Sequence, residues 1–238
     1  MSSRAKSKQA NQVVRAQLAR EDRKRRLRIV MLIAGAVIVV AGFIGWGVWS
    51  SQKSTKATTP VNATAGGVGL PVGGAGGKAK VELYVDFMCP ACKAFEQAAG
   101  PTLNEMMAAG RAEVILHPVA ILDDASTTNY STRASAAAGC ASDGGKLNEY
   151  ATALYAQQPP EGGDGLPDDQ LIQIGRDVGL SDTFAQCVTG GTYLTWVPKV
   201  TAAASERGLR GTPTAFVNDK QIESTVEALT AAVNGAVG

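Results

Sequence analysis

The sequence predicts an α/β domain with an inserted helical lobe, preceded by a single transmembrane helix. Three observations carry this. An apolar run dense in β-branched and aromatic residues (Val81 to Met88) feeds a helical pattern and then a second apolar run (Ala112 to Leu116), the order of a β-α-β unit with parallel strands. From residue 121 to 208 the apolar residues keep helical spacing. Directly after Arg28, the 21 residues Ile29 to Trp49 carry no charge.

The N-terminal third organises itself by charge. Residues 1 to 28 hold ten Lys/Arg against Glu21 and Asp22, a local net of +8, whereas the whole chain of 238 residues nets +2. The remainder therefore nets −6, a mildly acidic body behind a basic tail. At helical rise the uncharged run spans about 30 Å, the thickness of a hydrocarbon core. Arg23 to Arg28 crowd one side of it and only Lys53 and Lys56 follow on the other, so the positive-inside bias puts residues 1–28 in the cytoplasm and everything after Trp49 outside. A cleaved signal peptide is the competing reading, but its apolar region is shorter and ends close to a small-x-small site, whereas Ala63-Thr64-Ala65 comes late. The basic tail is explained by orientation at a membrane more economically than by nucleic acid.

Residues 50–77 are rich in Ser, Thr, Ala and Gly and read as a flexible linker. Gly76-Gly77-Lys78 is not a phosphate loop, since Ala79 stands where Ser or Thr is needed. The domain is then expected over residues 78–238. The helix after Met88 carries Phe95, Ala98, Ala99, Leu103, Met106 and Met107, and Gly100-Pro101 should kink it. His117 ends the second strand before Pro118 and is assigned no chemistry.

Cys89-Pro90-Ala91-Cys92 lies where the first strand gives way to this helix, and such a placement reads as a thiol-disulfide redox site. At a helix N-terminus the unpaired N–H groups and the dipole favour a thiolate on Cys89, and Pro90 suits the first helical position. Half of a zinc site is the alternative. It needs two more ligands, and the chain offers only the isolated His117 and two single cysteines, Cys140 and Cys187.

Within 121–208, Leu147, Tyr150, Ala151, Leu154 and Tyr155 form one helical stripe, Leu171, Ile174 and Val178 a second, and Phe184, Cys187 and Val188 a third behind Ser181 as N-cap. Thr214 to Val217, the turn Asn218-Asp219 and Lys220 to Ile222 predict a hairpin. Ser224 and Glu227 have capping-box spacing ahead of a last helix striped by Val226, Leu229 and Val233.

Val85 to Cys92, Phe95-Glu96 and, over a hundred residues on, Gly211-Thr212-Pro213-Thr214 together resemble the DsbA-like oxidoreductases of the thioredoxin superfamily over roughly residues 68 to 238. The resemblance implies a thioredoxin-like fold with a helical insertion at about 121–208. It implies that Cys89 attacks, Cys92 resolves, and Pro213 is a cis-proline beside which the backbone of Thr212 binds an extended substrate. The residues alone allow an ordinary strand-entry proline. Pro90 and Ala91, between the cysteines, lack the histidine of the most oxidising members. Leu83 stands where many relatives carry a buried acid, which leaves Asp86 and Glu96 as candidate proton relays to Cys92 or as solvated surface acids. Cys140 and Cys187, both in the lobe of a protein held in an oxidising compartment, are expected to form a structural disulfide, against a pair of buried free thiols.

The function implied is that of a membrane-tethered, extracytoplasmic thiol-disulfide oxidoreductase acting on reduced secreted proteins. It would need no bound cofactor or metal, and a membrane quinone-linked thiol oxidase would re-oxidise it. The rivals are a reductase or isomerase of the same fold and a tethered thioredoxin-fold binding module without redox work.

Overall fold

The computed structural model describes residues 58–238. The expected cytoplasmic tail, the span Ile29–Trp49 and residues 50–57 of the expected linker lie outside the described residues. Among the described residues no helix is long and apolar enough to cross a membrane.

A five-stranded sheet has the order β1-β3-β2-β4-β5, with β1 at Leu70–Gly73, β2 at Ala79–Val85, β3 at Ala112–Pro118, β4 at Thr214–Val217 and β5 at Lys220–Ile222. β2 and β3 are parallel and joined through helix α1 (Pro90–Ala108), while β1, β4 and β5 pair antiparallel. β2 is central. Its residues from Val81 to Val85 are all buried, which is why it reads as an unbroken apolar run with Glu82 as the exception. The hairpin turn places both Asn218 and Asp219 at positive φ, as a two-residue turn of this hand requires.

Part of the expected linker is instead built into this body. Leu70–Gly73 adds β1 to the sheet edge, where Pro71 is tolerated because an edge strand need not donate on both sides. Upstream, Val61 N donates to Asp143 Oδ1 at 2.8 Å, Asn62 Nδ2 to Ser142 O at 3.0 Å and Trp196 Nε1 to Gly67 O at 2.6 Å. Glycine misled the composition reading. At Gly69 it permits close approach, since a Cβ there would stand 2.6 Å from Ile115 and 2.8 Å from the His117 ring.

α1 continues as one helix through Gly100 and Pro101. Pro101 and Gln97, whose carbonyl loses its i+4 partner, are both exposed, so water can take the missing bond.

The lobe consists of a short 3₁₀ turn (Asp123–Ala125) and helices α2 (Tyr130–Asp143), α3 (Leu147–Ala156), α4 (Asp168–Asp177), α5 (Asp182–Thr189) and α6 (Val197–Glu206). α2 is its axis. Its buried surface is mostly Ala, Ser and Gly, and these small side chains let α3, α4, α5 and α6 all pack against it. Tyr150, Leu154, Leu171, Ile174, Phe184 and Trp196 fill the space between. A disulfide joins Cys140 of α2 to Cys187 of α5.

The last helix, α7 (Val226–Val237), buries Leu229 and Val233 and lies against the sheet. Its cap is Thr225, whose hydroxyl accepts from Ala228 N at 3.2 Å, one residue later than the predicted capping box. Ser224 is diverted, donating its hydroxyl to Pro213 O at 3.0 Å.

Candidate active site

Where β2 ends, the chain turns through Asp86, Phe87 and Met88 and enters α1 with Cys89 at the N-cap and Pro90 at the first helical position. Pro90 contributes a fixed φ and lacks an N–H that would have had no helical partner. The other wall is the segment after α6, in which Thr212 precedes Pro213 across a cis peptide bond. Cys89 Sγ donates to Thr212 O at 3.4 Å, so residues 123 positions apart meet at one sulfur.

The two thiols are unequal. Cys89 is 7% exposed and Cys92 1%, so a partner reaches Cys89 first. Hydrogen bonding from the Cys92 thiol, helped by the Thr212 side chain and by the N–H groups of Cys92 and Ala91, outweighs burial and brings the Cys89 thiol down to about 6. Burial pushes the Cys92 thiol far up, and its bond to Cys89 adds to this. Such a pair holds a nucleophilic thiolate at Cys89 near neutral pH and a protonated thiol one turn behind it.

Asp86 is not a surface acid. It is fully buried, and its carboxylate accepts from Met88 N at 2.9 Å, Leu122 N at 2.9 Å and the Ser131 hydroxyl at 2.6 Å. Burial raises its pKa, with those hydrogen bonds opposing the rise. Towards Cys92 it offers its backbone, the N–H lying 3.5 Å from Sγ. Glu96, half-buried one turn after Cys92, accepts from the Thr152 hydroxyl at 2.7 Å.

Further side chains at the site carried no sequence signal. Gln158 Nε2 lies 2.9 Å from both Phe87 O and Cys89 O, and the buried Tyr155 hydroxyl 3.4 Å from Asp86 O. Arg207, after α6, anchors the start of the segment leading to Thr212. It bonds the Tyr84 hydroxyl at 2.7 Å, pairs with Glu82 at 3.2 Å and stacks 3.8 Å over the Phe216 ring. Glu82 is held down to about 2, first by its hydrogen bond with His117 and then, against burial, by Arg207 and Lys80. His117 is thus a buried partner of Glu82, stacked 4.2 Å from the Tyr84 ring, within β3 and not at its end. Cys140 and Cys187 take no part in this cluster. Among the described residues no group of three or more His, Cys, Asp or Glu side chains is placed to hold a metal ion.

The profile of a thioredoxin family matches residues 68–235. The chain belongs to that family. Its fold is similar to that of reduced DsbA from Mycobacterium tuberculosis, at 33% identity and a TM-score of 0.64 over 72% of this chain and 93% of that one. It is likewise similar to the reduced disulfide bond oxidoreductase DsbG of the same organism, at 34% identity and a TM-score of 0.61 over 76% of this chain and 86% of that one. The chain is accordingly a protein thiol-disulfide oxidoreductase of DsbA-like fold. A curated relative, the serine/threonine-protein kinase PknE of M. tuberculosis, matches at 29% identity over 160 residues. This chain spans 28% of the length of that kinase.

Proposed function

We propose that this oxidoreductase works outside the cytoplasm, held at the membrane by Ile29–Trp49 with its N-terminus inside, and passes the Cys89–Cys92 disulfide to reduced secreted proteins. The observation that carries the reading is the inequality of the two sulfurs. A substrate thiolate attacks Cys89 Sγ, the S–S bond to Cys92 breaks, and Cys92 leaves as a sulfur that takes up a proton. A second substrate thiolate then attacks the substrate sulfur of the mixed disulfide and expels Cys89 as a thiolate. The substrate loses two electrons and the dithiol gains them. The low pKa of Cys89 makes it a good leaving group in that second step and stabilises the reduced enzyme, which favours oxidation of the substrate.

Thr212 and Pro213 would seat the substrate backbone beside Cys89, with Ser224 and Arg207 supporting that segment. Asp86 holds the turn, its oxygens accepting from Met88, Leu122 and Ser131. No bound cofactor enters the cycle, and a membrane quinone-linked thiol oxidase would restore the disulfide.

A redox titration against glutathione, with Cys140 and Cys187 left paired, tests the direction. The expected potential lies above thioredoxin's roughly −270 mV, towards that of protein disulfide isomerase at about −180 mV. A value at or below thioredoxin's would replace the oxidase with a reductase. Protease added to intact spheroplasts should release a fragment containing Cys89 and leave the Arg-rich tail protected, and a protected Cys89 would overturn the compartment.

A further inference from the structure

Gln158 lies two residues beyond α3, and its side chain turns back to the dithiol. Both of its partners, Phe87 O and Cys89 O, are carbonyls, which only accept. The amide therefore presents its NH₂ group and spends one hydrogen on each. These carbonyls flank Met88, so the bridge fixes the turn that delivers Cys89 to the N-cap. Cys89 O is also the first acceptor of α1, taking Cys92 N at 3.1 Å and Lys93 N at 3.2 Å. The carbonyl that Gln158 holds thus orients the first helical turn, whose N-terminal end favours a thiolate on the N-cap Cys89. Tyr155 supports the same turn through Asp86 O. Both side chains come from the inserted lobe.

We propose that Gln158 is a positioning residue for the dithiol, through which the inserted lobe holds the Phe87–Cys89 turn in the geometry that sets Cys89 at the N-cap of α1. The inference rests on the reading of Cys89 as the exchanging sulfur. Without the clamp the turn relaxes, the thiolate loses part of its hydrogen bonding, and the reduced form becomes less favoured.

The test follows the ultraviolet absorbance of the Cys89 thiolate against pH in the reduced full chain. Gln158→Leu removes both donors at similar volume, Gln158→Glu keeps the shape but turns acceptor oxygens towards two carbonyls, and Gln157→Leu is a neighbouring control. The midpoint, near 6 in the parent, should rise by about half to one unit in Gln158→Leu, the weight of one to two hydrogen bonds, and further in Gln158→Glu. The equilibrium constant with glutathione should move about three- to tenfold towards the protein disulfide. Gln157→Leu should change neither. An unshifted midpoint in both Gln158 variants overturns the proposal, as does a lower unfolding temperature without a shift, which marks a merely structural role. A shifted midpoint in a chain that never exchanges disulfides would leave the clamp standing and remove the proposed function.

Discussion

Cys89 and Cys92 are separated by two residues and unequal in every respect, whereas Cys140 and Cys187, 47 positions apart, bind two helices of one lobe together. At the first pair one sulfur meets helix N–H groups and Thr212 while the other is sealed behind it, so their affinities for protons diverge. The second pair sits between α2 and α5, its two sulfurs joined to each other. Reactivity here comes from asymmetric surroundings, and stability from loop closure between packed helices.

Exchange activity should separate the pairs most sharply. Cys89→Ser is expected to lower insulin reduction by more than about a hundredfold, because a hydroxyl cannot replace the thiolate, whereas the Cys140→Ala/Cys187→Ala chain should keep its rate within about threefold. Equal losses would erase the distinction. In denaturant the order reverses. Removing the lobe disulfide should cost about 4 kcal/mol, the chain-entropy value for a loop of this length, and a cost near zero would show that helix packing alone fixes the lobe. Ser131→Ala, which strips the Asp86 carboxylate of its hydroxyl partner, should cost about 1.5–3 kcal/mol of stability without abolishing exchange. Urea unfolding alongside the insulin assay reads both.

The smallest effect is one of pH. The folded-state pKa of Cys89 is depressed, so its contribution to the stability of the reduced chain is complete only above the unfolded value near 9 and is lost as pH falls through about 6. At pH 7 about 1 kcal/mol remains after allowance for solvent screening. The reduced chain should therefore lose stability relative to the oxidised one between pH 9 and 6, while the lobe disulfide contributes equally across that range. Parallel stability curves for the two redox forms would contradict the low pKa.

The sheet core, the hairpin and the helices of the lobe were legible because each rests on local pattern: β-branched density in β2, the Asn218-Asp219 turn, helical spacing at Leu147 to Tyr155. What escaped depends on contacts distant in sequence. Asp86 looked like a surface acid because Ser131 and Leu122, which bury and pair it, lie 45 and 36 residues away. Gln158, ahead of Pro159-Pro160, looks like any polar helix exit until α3 is packed beside the active-site turn. Ser224 and Thr225 are equally good caps by residue type, and Pro213 O decides between them by engaging Ser224.

β1 moves the boundary of what can be cut away. With Val61 to Gly73 strapped to the lobe and the sheet edge, 13 of the 28 residues expected as connector (50–77) belong to the folded body. A truncation placed at Gly77, at the end of the glycine-rich composition, would therefore strip the sheet of its edge strand and the lobe of its strap, and would not merely shorten a tether.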